Sequence, residues 1–167
     1  MVGAESDAPT SRLPSVSGPV LLAVSVIISP DTPLLFLGRA DLSPNPGGRT
    51  GILSLHLSPL RASDRGVLAG ADLVVEGIQV GEDLRFSADL GQVSLIGEAN
   101  PISGGNIAAH LMLDGRIVSP DSICGNVLGM AMEPVSFDLA GSTFASTRVT
   151  EGVAPASLPN PPPLACP

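Results

Sequence analysis

Leu53, Leu55 and Leu57 alternate with Ser54, His56 and Ser58, the cleanest two-residue alternation in the chain. An extended segment puts the first set on one face and the second on the other. The same reading places strands over Val20 to Ile28, Leu34 to Leu42, Ile52 to Leu57 and Leu73 to Val80. Further strands are expected over Leu84 to Leu90, with Leu84, Phe86, Ala88 and Leu90 on one face, and over Gln92 to Glu98. The punctuation between them is Pro, Gly, Asp and Asn, as in Ser29-Pro-Asp-Thr-Pro33 and Ser43-Pro-Asn-Pro-Gly-Gly48. The segment Arg61 to Asp72 lacks clear alternation and reads as a short helical turn beginning at Ser63 or as an irregular connection.

The stretch from Gly105 to Thr147 organises the rest. Ile107 to Leu113 runs into Asp114-Gly115, a pair that favours a two-residue hairpin because both central positions of that turn need positive φ. Arg116 to Ser119 would be the return strand, followed by Asn126 to Met132, Val135 to Leu139 and Ser142 to Val149. About nine or ten short strands, and no long amphipathic helix, predict an all-β fold. The short connections favour an antiparallel, meandering β-barrel of about 8–10 strands over a two-sheet β-sandwich. Three parts are expected: a flexible leader over 1–18, a single β-domain over 19–149 and a Pro-rich tail over 150–167.

Composition narrows the picture. The chain has 167 residues, enough for one domain, and no Trp or Tyr and four Phe, so its core is aliphatic. The formal net charge of −8 argues against nucleic acid and against an anionic membrane surface, both of which need a basic patch. All eight basic residues are arginine, and nothing in their order gathers them into one site. The longest apolar run, Pro19 to Ile28, is too short to span a membrane as a helix and lacks the basic flank of a signal peptide.

Cys124 and Cys166 are the two cysteines. A flexible tail that ends in a cysteine outside any apolar run points to a disulfide between them, pinning the tail to the sheet. That bridge implies an extracytoplasmic setting: periplasm, cell surface or medium.

Candidate chemistry is sparse. His56 and His110 each fall within a strand; with Cys124 and an acid they sketch a nucleophile pair, but solvent-facing histidines are the simpler reading. Glu82, Asp83, Asp114 and Asp121 are turn acids that could meet calcium, though turn geometry alone explains the aspartates. Glu76, Glu98 and Glu133 offer no visible pairing for glycoside hydrolysis. No metal or cofactor motif is present in the sequence. Met112, Met130 and Met132, with Phe86 and Phe137, are the candidate lining of an apolar site, because methionine adapts to varied ligands.

The expected function is a non-enzymatic secreted or cell-envelope β-domain with a structural, adhesive or partner-binding role. The alternative is a barrel that binds a hydrophobic small molecule, and the third is a hydrolase-like enzyme using His56 or His110. The corresponding partners are an unidentified protein or an apolar small molecule.

Overall fold

A computed structural model describes residues 13–68 and 72–167. They form an antiparallel sheet of nine strands: β1 (Ser17–Val26), β2 (Ser29–Pro44), β3 (Gly51–Pro59), β4 (Leu73–Val80), β5 (Arg85–Leu95), β6 (Ile107–Ser119), β7 (Ser122–Glu133), the two-residue β8 (Phe137–Asp138) and β9 (Ser142–Arg148). Their order is β4-β3-β2-β1-β9-β7-β6-β5, with β8 beside β7. The sheet thus curls into a meandering barrel in which β1 pairs with β9, leaving one unsealed seam between β4 and β5. The seam is pinned at one end by the turn joining β4 to β5, where the Gly81 N–H donates to Arg85 O, and at the other by the Ala62 N–H donating to Glu98 O.

The alternation read from the sequence sets the barrel interior. Leu53, Leu55 and Leu57 of β3 are buried there with Leu22, Phe36, Phe86, Leu113, Ile117, Ile123 and Phe144. An eight-stranded barrel is just wide enough to be filled by side chains, and the rings of Phe86 and Phe144 occupy its middle. Space for the rings comes from glycine. A Cβ on Gly115 would lie 2.7 Å from Phe86 Cζ and 2.8 Å from Phe144 Cζ, and one on Gly125, its cross-strand partner, would lie 2.6 Å from Gly115 Cα.

Two turns expected from the sequence are absent. Asp114-Gly115 lies inside β6, paired with Asn126 and Gly125, because Gly115 serves ring packing and not a hairpin. The chain reverses instead at Pro120-Asp121, between the paired Ser119 and Ser122. Gly91 does not end a strand either. It takes φ +65° at a bulge in β5, where the register against β6 shifts between Asp89 and Gly91. The segment after Arg61 is an irregular connection with a turn over 62–64.

Of the leader read from the sequence, residues 1–12 lie outside the described residues. Val16 is buried and its carbonyl accepts from Leu42 N–H, and β1 begins at Ser17. The tail crosses the outer face of the barrel. Leu158 is buried against Leu21 and Leu60, with Leu35, Leu37, Val149 and Val153 around them. The Arg65 guanidinium donates to the carbonyls of Leu158 and Pro159, Thr143 Oγ1 donates to Leu164 O, and Cys166 is bonded to Cys124. Covered by the tail outside and the core inside, β1 is buried on both faces from Val20 onward, apart from its solvent-facing start.

Among the described residues, no helix is long and apolar enough to cross a membrane.

Candidate functional site

One end of the barrel is hollow. The inward positions there are small: Ala109 on β6, Ala131 on β7 and Ser142 on β9. With Phe86 and Phe144 filling the middle, this end keeps a cavity of about 180 Å³ that is open to solvent. Its walls are Val24, Leu34, Phe36, Val93, Leu95, Leu111, Val127, Phe137 and Leu139. The rim carries Ile28 and Val135, which are 59% and 64% exposed. Exposed aliphatic side chains at the mouth of an apolar cavity extend its apolar surface outward.

The loop over the mouth is held by one buried amide. Asn100 Oδ1 accepts from the N–H groups of Ile102 and Ser103, and its Nδ2 donates to Ser103 Oγ and Gly105 O. That uses all four hydrogen-bonding capacities of the side chain and places Ile102 on the cavity wall. Ser142 Oγ accepts from Ile27 N–H at 2.9 Å. Among the described residues, no buried side-chain polar atom lacks a partner. The buried walls of the cavity therefore present hydrocarbon and no unpaired side-chain polar atom; its one acid, Glu133, is exposed at the rim. A water molecule inside would have few partners, so an apolar group that displaces it loses few hydrogen bonds.

The expected lining residues separate. Phe137 lies on the cavity wall. Phe86 is buried in the core but packs in the middle of the barrel, against Gly115. Met130 and Met132 do share a face, but it is the outer one, and they are 43% and 41% exposed. Met112 is half-buried on the outer face of β6, opposite Leu128. The inward face of β7 belongs to Val127, Gly129 and Ala131, so the methionines fall one residue out of phase with the interior. The actual wall was hidden in the sequence because its residues are ordinary aliphatics. The signal that could have found them is the cross-strand pair of small inward residues, Ala109 and Ala131, at one end of β6 and β7.

The polar candidates do not assemble. His56 Nε2 lies 3.4 Å from Glu76 Oε2, across β3 and β4. His110 Nε2 lies 3.3 Å from Asp89 Oδ1, across β5 and β6. All four side chains are on the exposed outer surface. Cys124 is bonded to Cys166 and offers no thiolate to either histidine. Among the described residues, no three His, Cys, Asp or Glu side chains are grouped to hold a metal ion. Glu82 and Arg49 face each other at 3.9 Å, and Asp121 pairs with Arg148, so these turn acids meet arginines. The Asp64 carboxyl is held below the usual carboxylate range, chiefly by the Gly66 N–H it accepts and also by Arg61.

No protein-family model matches this sequence, and no curated protein matches it either.

Proposed function

We propose that the barrel binds a small apolar molecule, or the apolar end of a larger one, at its open mouth. The supporting observation is the cavity of about 180 Å³ whose buried side-chain polar atoms are already paired. A cavity of about 150 Å³ lined by aliphatic and aromatic groups is enough to take up benzene. A six-membered ring or a short branched chain fits this one, with any polar remainder projecting past Ile28 and Val135. The bridge between Cys124 and Cys166 supports an extracytoplasmic setting, where such bonds persist. The test is a series of melting curves with benzene, toluene and short-chain alkanoates. A ligand at ten times its Kd stabilises by about 1.4 kcal/mol, which raises Tm by about 3–6 °C in a domain of this size. Unchanged melting across the series contradicts the reading.

The structural or adhesive reading rests on a different observation. Met112, Leu128, Met130 and Met132 form an apolar strip on the outer face of β6 and β7. Sedimentation that shows association weakened by Met130→Gln would favour it; a monomer at every concentration would leave the mouth as the better-supported site.

A further inference from the structure

We propose a second site, on the outer face of the barrel and away from the mouth: Arg85 and Arg116 together hold a phosphate or sulfate ester group on a hydroxyl-bearing carrier. The two residues are direct cross-strand partners on β5 and β6. Their neighbours Phe86 and Ile117 point into the core, so both guanidiniums are exposed on the outer face. Like charges placed opposite each other in a sheet repel, so this pair is unfavourable unless something anionic lies between them.

The other described arginines are all engaged. Arg39, Arg49, Arg61 and Arg148 meet carboxylates, and Arg65 donates to two tail carbonyls. Among the described residues, Arg85 and Arg116 have neither an ion-pair nor a side-chain hydrogen-bond partner. In a chain of net charge −8, this adjacent pair forms no ion pair among the described residues; Asp114, two residues from Arg116 on the same outer face, bridges to neither arginine.

The pair lines a groove of about 310 Å³. Arg116 is the partner of Cys124, and the bridge to Cys166 brings the end of the tail down as a wall of this groove. Two register steps along, on the same face, Asp114 pairs with Asn126, and Asn126 with Thr143. These three also line the groove. Two planar forks suit an oxyanion with several acceptor oxygens. The Asp114 carboxylate accepts from hydroxyl groups, and the Asn126 amide both donates and accepts. The groove therefore suits a phosphorylated or sulfated polyol or sugar better than a bare ion.

The test is a titration of 15N-labelled protein with glucose 6-phosphate, inorganic phosphate and sodium chloride at matched ionic strength. The site predicts saturable shifts at Arg85, Arg116 and Asn126, tighter binding of glucose 6-phosphate than of phosphate, and at least tenfold weaker binding in Arg85→Gln and in Arg116→Gln. Arg49→Gln should bind as the unmodified protein does. Because both arginines are exposed, the two Gln variants should melt no lower than the parent, which separates lost binding from lost folding. Shifts that fail to saturate, that chloride reproduces, or that survive both Gln substitutions overturn the proposal.

Discussion

Cys166, one residue from the end of the chain, is bonded to Cys124 in β7, a sequence separation of 42 residues. Cys124 is completely buried and sits on the outer face, in a row where Ala145 and Ala23 are its successive cross-strand neighbours. The small side chains in that row leave a flat bed across β7, β9 and β1, on which the tail lies. Leu158 is its apolar anchor and the disulfide its covalent one.

Cys166→Ser should therefore loosen the tail without opening the barrel. The loop-entropy relation gives about 4 kcal/mol for a loop of this length. Hydrogen exchange should accelerate at Leu164–Ala165 first and reach Leu158, while β3 and β6 stay protected. Equal protection of the tail with and without the bridge would show that Leu158 and the Arg65 contacts suffice.

Gly115→Val should be among the most damaging changes in the middle of the barrel. The added carbons meet two aromatic rings fixed by the core, and overpacking of this kind costs about 1–3 kcal/mol. Chemical denaturation should show a lower midpoint. A Gly91→Ala change tests a different constraint, since nothing lies within 4 Å of its Cβ but φ is +65°. Its cost should be smaller, about 1 kcal/mol, and purely conformational.

The expectations that held and those that failed divide along one line. The alternation of Leu53, Leu55 and Leu57 and the bounds of Leu73–Val80 were legible because side-chain period and burial report the same thing in a two-faced strand. Gly115 misled because glycine serves both turns and crowded interiors, and only the distant Phe86 and Phe144 decide between them. β1 reads as a continuous apolar run because a segment more than a hundred residues later covers its outer face. The mouth was invisible for a related reason: it is defined by missing volume at Ala109 and Ala131, which no local pattern distinguishes from ordinary packing.

Asp64 gives a pH dependence with a definite sign on the acid side. Its carboxyl accepts from Gly66 N–H at 2.9 Å and from Arg61, which depresses its pKa in the folded state. A depressed pKa means that the contribution to stability is complete above the ordinary aspartate value of about 3.9 and fades as pH falls through the lower folded value. Carbon-detected titration should find Asp64 below that ordinary value, and Asp64→Asn should flatten the acid limb of the stability profile slightly. A normal titration point for Asp64 would contradict the geometry of this loop.

Filling the void should stabilise the protein. Ala109→Val and Ala131→Val add methyl groups to the cavity wall on strands that favour β-branched residues. Each should raise stability by about 0.5–2 kcal/mol, as cavity-filling changes commonly do. A fall in Tm for both would mean that this end of the barrel is already closely packed.

The most direct test of the barrel's mouth as a binding site is a methyl-resolved NMR titration of the protein with benzene, run beside the Ala109→Val/Ala131→Val double variant. Binding at the mouth predicts saturable shifts confined to the methyl groups of the cavity wall, Val24, Val127 and Leu139 among them, and at least tenfold weaker binding in the double variant. No saturable shift up to the solubility limit of benzene, or shifts centred on the outer strip at Leu128 and Met130, would contradict it.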